Sequence, residues 1–231
     1  MAIDIEQMRM NVTAAEARIE EARRRSGRGQ QVRLLVATKY VGLDEMGSLA
    51  QAGVRLVGEN RAEELDRKWG AFSEMFEFHF IGHLQSRKVR SVLPCVSLVH
   101  SVDSLTLVSE MDRRAESVVD ALLEVNVSGE TSKYGILPGD AEAFLEQSQA
   151  FEKVRFKGFM TMAPFVREPE DVRLVFRGLR ELRDRLAPLF APRYSLSELS
   201  MGMSNDYEVA VEEGATIVRL GSTLFAGAQG G

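Results

Sequence analysis

Apolar and polar residues alternate along almost all of this chain, and the period changes from segment to segment. Across 4–25 the apolar positions Ile5, Met8, Val12, Ala15 and Ile19 recur at helical spacing among acids and arginines. That predicts an amphipathic helix, ended by Gly27. The segment 32–39 reads differently: a short run of Val and Leu, closed by Lys39 and followed by Gly42. Such a run predicts a strand buried on both faces, with Lys39 presented where it emerges.

From there the two patterns take turns. Helices are predicted at 43–52 and 61–70, from Arg87, after an N-cap at Asp103 or Ser104, from Pro138, and at 169–187 and 205–213. Between them lie strand-like runs at 54–57, 76–81, 96–102, 121–127, 154–161, 196–201 and 216–220. Eight strands alternating with helices, with no linker or break in composition, predict an α/β fold. It is a single (β/α)8 barrel domain over 1–231, with an extra N-terminal helix. An open doubly wound sheet is the alternative; the strand count and a chain that stops soon after the eighth strand disfavour it.

Composition narrows the partners. The 231 residues suffice for a full core, and 45% hydrophobic with 27% charged residues is the balance of a soluble globular protein. With 29 basic against 34 acidic residues and a net charge of −5, no nucleic-acid partner is expected. The cluster Arg23-Arg24-Arg25 is interleaved with Glu16, Glu20 and Glu21 and reads as a solvated face. The single cysteine, Cys95, excludes an internal disulfide framework, fits a reducing compartment, and lies in an apolar context that suggests a structural thiol. No targeting segment or membrane-length apolar run is present, so a cytoplasmic protein without a membrane partner is expected.

The chemistry gathers where the strands end. Their C-terminal signals are Lys39, Gly58-Glu59-Asn60, Gly82-His83, His100-Ser101, Asn126, Thr161, Ser200 and Arg219. In a barrel this is the mouth that carries the site. The turns Ser200-Met201-Gly202-Met203-Ser204-Asn205-Asp206 and Arg219-Leu220-Gly221-Ser222-Thr223 combine small and hydroxyl residues with helix entries. They would aim backbone N–H groups at one point after strands seven and eight, which suits a phosphate. Taken singly, Ser204 and Ser222 could equally be ordinary N-caps. A phosphate cradle across the mouth from a lone lysine suggests pyridoxal 5'-phosphate (PLP), held as a Schiff base on Lys39. Arg219 would then face the pyridine nitrogen. A guanidinium cannot take a proton from it, so the ring would stay neutral and be a weaker electron sink. His79 and His83 are four apart and read as sharing a strand face. No third ligand joins them, so no metal is expected.

The motifs Val36-Ala37-Thr38-Lys39, Gly58-Glu59-Asn60-Arg61, Phe80-Ile81-Gly82-His83-Leu84-Gln85-Ser86 and His100-Ser101-Val102-Asp103 resemble one family. So do the stretch from Asn126 through Lys133 to Gly135, Gly158-Phe159-Met160-Thr161, and the run from Ser200 to Gly227. Together they are similar to the pyridoxal phosphate homeostasis proteins, which share the barrel of the alanine racemase N-terminal domain. The resemblance implies Lys39 as the Schiff-base lysine and Arg219 beside the pyridine nitrogen. It places Ser200, Ser204, Gly221 and Ser222 around the phosphate, with Asn60 and His83 lining the pocket. Thr38 and Ser222 depart from the family's usual serine and threonine; both keep a hydroxyl.

The resulting expectation is a PLP-binding protein that holds the cofactor without evident turnover and supplies it to PLP-dependent apo-enzymes, as a monomer. The alternative is an amino-acid racemase of the alanine racemase type. Racemisation needs a second base on the opposite face of the bound substrate, and none of Tyr40, Tyr134, Tyr194 or Tyr207 is an evident candidate.

Overall fold

All eight predicted strands form, and they close on one another. The computed structural model describes residues 3–228. The strands are β1 (Arg33–Ala37), β2 (Leu56–Glu59), β3 (Glu77–Phe80), β4 (Leu98–Val102), β5 (Val119–Glu124), β6 (Val154–Met160), β7 (Glu198–Ser200) and β8 (Ile217–Leu220). Every neighbouring pair is parallel, and β8 returns to β1 with Leu35 opposite Arg219, closing the barrel in sequence order. Parallel neighbours require crossover connections, and α-helices fill these from outside, with one further helix before β1 and one after β8. They are α1 (Ile5–Ser26), α2 (Met46–Gln51), α3 (Ala62–Phe72), α4 (Val89–Val92), α5 (Leu105–Arg114), α6 (Ala141–Ser148), α7 (Arg173–Phe190), α8 (Tyr207–Glu212) and α9 (Ser222–Phe225).

Local chemistry sets the ends. Asp4 caps α1 by accepting from the Gln7 N–H at 3.0 Å, and Gly27 ends it at φ 63° with its own N–H on the Arg24 carbonyl. Ser104, of the two candidates, caps α5 through the Leu107 N–H. α7 runs three residues past the expected end because Leu186 and Phe190 continue its buried stripe of Phe176, Leu179 and Leu182. β2 falls two residues later than expected. Gly58 and Glu59, expected as the signal just past the strand's end, lie in the strand; a side chain at Gly58 would meet Leu35 and Ile81 inside the barrel.

The helix α1 packs against α2, α8 and α9 on the outside of the barrel. Met8, Val12, Ala15 and Ile19 pack inward, while Asn11 donates to the carbonyls of Leu224 and Ala226 and so ties down α9. Its basic cluster is paired: Arg23 and Arg24 with Glu20, and Arg25 with Glu208 and Glu212 on α8. Cys95 is buried and bonded to the Ser91 carbonyl, and burial pushes its thiol up to about 11. No helix among the described residues is long and apolar enough to cross a membrane.

Candidate functional site

Lys39 follows β1 by two residues and stands on a rigid support. The preceding Thr38 is fully buried; its N–H donates to the Gly58 carbonyl at 3.0 Å and its hydroxyl donates to Glu59 at 2.5 Å. Lys68, reaching in from α3, donates to the Thr38 carbonyl at 2.8 Å and pairs with Glu59. Lys68 and Glu59 are each only 1% exposed, so this is a desolvated ion pair directly under the turn that presents Lys39. Lys39 itself is exposed, with its amine 4.6 Å from the centre of the Tyr40 ring.

Beside Lys39, on the β8 side of β1, the turns after β7 and β8 are stitched together. Ser204 Oγ accepts from the backbone N–H of Gly221 at 3.3 Å and of Thr223 at 3.4 Å, and Thr223 Oγ1 donates to the Ser204 carbonyl. Ser204 is thus not a cap on its own helix; it holds the N–H groups of the next turn. Ser222 opens α9, which has no side-chain cap. The first turn comes this close because Gly202 has φ 91° and lies against α8, where a Cβ would stand 2.9 Å from the Tyr207 Cα.

Arg219 lies between these two walls. It is 6% exposed, with Nη1 donating to Ser200 Oγ at 2.5 Å and Nη2 to the Thr161 carbonyl at 3.0 Å. Burial lowers its pKa to about 10 against the opposing fields of Glu124 and Asp206, which leaves it a cation at neutral pH. Glu124, the last residue of β5, is 3% exposed and pushed up to about 7, chiefly by burial and then by Asp103. Burial likewise raises the carboxyls of Asp103 and Asp206.

Lys39, Ser204, Arg219, Gly221 and Ser222 share one cavity of about 540 Å³, walled by Tyr40, Phe165 and Phe225. A larger hollow of about 690 Å³ opens at the barrel's other end, between Arg33, Arg55 and Glu77. Three expected residues fall outside the mouth cavity. Ser200 is fully buried beneath Arg219. Asn60 and His83 line a separate depression of about 210 Å³ with Arg61, Arg87 and Lys88, because β2 and β3 lie around the barrel from β7 and β8. His83 stacks on Tyr134, its Nδ1 3.9 Å from Asp103.

His79 and His83 do not share a face. His79 points into the barrel and bonds His100, whereas His83 lies beyond the end of β3 past Gly82. Among the described residues no group of three or more His, Cys, Asp or Glu is placed to hold a metal. The support under Lys39 and the link from His79 to His100 were not expected. The alternation Glu77, His79, Ile81 along β3 carried the second signal, and the helical spacing of Ala62, Leu65 and Lys68 on α3 carried the first.

A barrel whose mouth joins an amine, a buried guanidinium and backbone N–H groups held only by long hydrogen bonds to one serine defines a class suited to a phosphate-bearing carbonyl ligand. The family model described as "Alanine racemase, N-terminal domain" matches residues 10–229. A pyridoxal phosphate homeostasis protein of Aquifex aeolicus is 43% identical over 213 residues, covering 90% of this chain and 92% of its own. A solved protein of Bifidobacterium adolescentis superposes with a TM-score of 0.88 at 36% identity, covering 96% of this chain and 95% of its own. PipY of Synechococcus elongatus, solved with PLP bound, has a TM-score of 0.81 at 28% identity, over 94% and 99% of the two chains. The chain belongs to the alanine racemase N-terminal domain family and, within it, to the pyridoxal phosphate homeostasis proteins.

Proposed function

We propose that this protein binds PLP at the barrel mouth and serves as a carrier that keeps the cofactor available to PLP-dependent apo-enzymes. The observation that supports this most is the single cavity joining Lys39, Arg219 and the turns tied by Ser204. The ligand would bring an aldehyde for the Lys39 amine, a phosphate for the two turns, and a pyridine nitrogen for Arg219. The fit is chemical: an accessible amine, a cation held by hydrogen bonds, and the N–H groups of Gly221 and Thr223, which a lone serine hydroxyl accepts at long range.

This chain's own residues also support binding without turnover. Arg219 is charged and can donate but not accept, so it favours an unprotonated ring nitrogen. Tyr40, the tyrosine at the cavity, lies against the Lys39 amine and so offers no base on the opposite face. Tyr194 and Tyr207 are buried, and Tyr134 is stacked on His83.

The test has two arms. Purified protein loaded with PLP and reduced with borohydride should carry the label on the peptide containing Lys39; label mainly on Lys133 or Lys157 would overturn the site. Loaded protein incubated with L-alanine in deuterated water should show no multiple-turnover exchange at the α-carbon. Exchange dependent on Lys39 would replace the carrier with an enzyme.

A further inference from the structure

Holding a phosphate and an aldehyde at the mouth does not require anything of the barrel's opposite end, yet a line of polar side chains connects the two. His79 and His100 are both 0% exposed, on adjacent strands. His79 Nδ1 is 2.9 Å from His100 Nε2, and His100 Nδ1 is 2.9 Å from Ser200 Oγ, which accepts from Arg219. At the other end His79 Nε2 is 2.9 Å from Glu77 Oε1. Glu77 starts β3, lines the hollow at the barrel's far end, pairs with Arg33 at 2.5 Å, and accepts from Ser97 Oγ.

The protons on this chain are fixed by its two ends. Arg219 can only donate, so Ser200 accepts from it and has one proton left, which goes to His100 Nδ1. That nitrogen is then bare. In a neutral ring, Nε2 carries the hydrogen and donates to His79 Nδ1. The same logic makes His79 Nε2 a donor to Glu77, whose carboxylate can only accept. Read from either end, the assignment agrees. Burial holds both imidazoles below their ordinary pKa, so each carries the single proton the chain needs. Hydrogen bonds, from His79 first, hold Glu77 in the ionised form.

Packing does not demand this arrangement. The apolar part of the barrel interior is made of Leu35, Leu56, Leu98, Leu122, Met160 and Ile217. Apolar replacements of similar volume for buried polar groups are often neutral or stabilising, so an unbroken polar line through such a core calls for another role. We propose that Glu77, His79, His100 and Ser200 form a polarised hydrogen-bond relay. It positions Arg219 at the ligand cavity and couples that guanidinium to a carboxylate on the opposite face of the barrel. The proposal rests on the reading that Arg219 faces the pyridine nitrogen of PLP. These four are positioning residues, acting on the ligand only through Arg219.

The chain has three histidines, so imidazole ¹⁵N NMR resolves each ring, with the half-exposed His83 as internal reference. In the protein without cofactor, His79 and His100 should both be Nε2–H tautomers, joined by a scalar coupling across their N–H···N bond. Loading PLP should shift both rings. In Ser200→Ala, PLP at saturating concentration should still be fixed by borohydride but should no longer shift His79. Its affinity should fall roughly tenfold, as for one lost hydrogen bond to a charged group, and Ser200→Thr should restore both. Glu77→Gln, at the far face, should move the visible absorption band of the loaded protein. The opposite tautomer on either ring, or an undiminished His79 shift in Ser200→Ala, would overturn the relay. If PLP fails to load at all, the cofactor reading fails instead, while the tautomers and the coupling still decide whether the hydrogen-bonded chain exists.

Discussion

The two layers of this barrel are built from opposite chemistry. The sleeve between strands and helices is apolar all round, with Val36, Phe78, Phe80, Val99, Leu123, Phe159 and Val218 facing Leu65, Val89, Leu107, Leu145, Phe176 and Val211. Inside the strands, a small apolar cluster shares the space with Glu77, His79, His100, Ser200, Glu124 and Arg219. Apolar burial at about 25 cal/mol per Å² is what the sleeve contributes. The interior gives up part of that contribution to place charged and hydrogen-bonding groups at a mouth. The fold is therefore held from outside the strands and used from inside them.

The sharpest way to separate the layers is Lys39→Ala. Lys39 is exposed and belongs to neither core, so the unliganded variant should melt with wild type in calorimetry. Covalent fixation of PLP, read by mass after borohydride, should be lost completely. A variant that retained fixation would move the attachment point elsewhere.

Phe176→Ala makes the converse cut. Phe176 lies on α7, is 0% exposed and touches only the sleeve side. Truncating a buried Phe costs about 3–5 kcal/mol through lost transfer energy and the cavity left behind. Urea unfolding should show that loss, while the fraction of folded protein that fixes PLP stays at the wild-type level.

Lys68→Met joins the two layers, because Lys68 crosses from α3 to the Thr38 carbonyl and Glu59. Leaving Glu59 buried without its partner should cost about 3–5 kcal/mol. It should also loosen the turn under Lys39, so PLP affinity should fall together with stability. The double variant Glu59→Leu/Lys68→Met should lose less stability than Lys68→Met alone, because no unpaired charge remains. A double variant as unstable as the sum of its parts would mean that Lys68 acts through packing.

Which of these features the chain discloses in advance follows from the range of each signal. The sleeve is periodic and local: Met8, Val12, Ala15 and Ile19 on α1, or Phe176, Leu179 and Leu182 on α7, can be read in one window of sequence. The barrel order, Lys39 at the end of β1 and the hydroxyl-rich turns after β7 and β8 were legible for the same reason. The interior chain was not, since His79, His100, Ser200 and Arg219 come from four strands and meet only on closure. Ser200 reads as a turn serine beside Ser204, yet strand alternation turns it inward under Arg219. Asn60 and His83 carry mouth-like motifs, but motifs do not give the angle around the barrel, and theirs faces a separate depression. Lys68 shares the buried stripe of Ala62 and Leu65 on α3, but that spacing does not disclose its partner Glu59 on β2.

The smallest expected effect is also the one that distinguishes the layers by pH. Glu124 ends β5 inside the mouth, 3% exposed, with its carboxyl raised from 4.5 to about 7 by burial and by Asp103. The folded protein thus holds this proton more tightly than the unfolded chain does. Between about pH 4.5 and 7 the folded state carries more protons, so stability must fall as pH rises through that window. Below it both states are protonated and nothing is lost; above it both are ionised and the penalty for a buried carboxylate is fully present. Glu124→Gln keeps the shape and removes the ionisation. It should therefore match wild type near pH 4 and exceed it at pH 8 by on the order of 1–3 kcal/mol, the larger end corresponding to the full shift. The deficit of Phe176→Ala, by contrast, should be flat across the same range, because the substitution removes apolar burial and no ionisable group. Urea titrations of the three proteins at pH 4, 6 and 8 would decide this. A Glu124→Gln gain that does not grow with pH would mean the carboxyl is ionised throughout, neutralised by Arg219 more fully than its burial suggests.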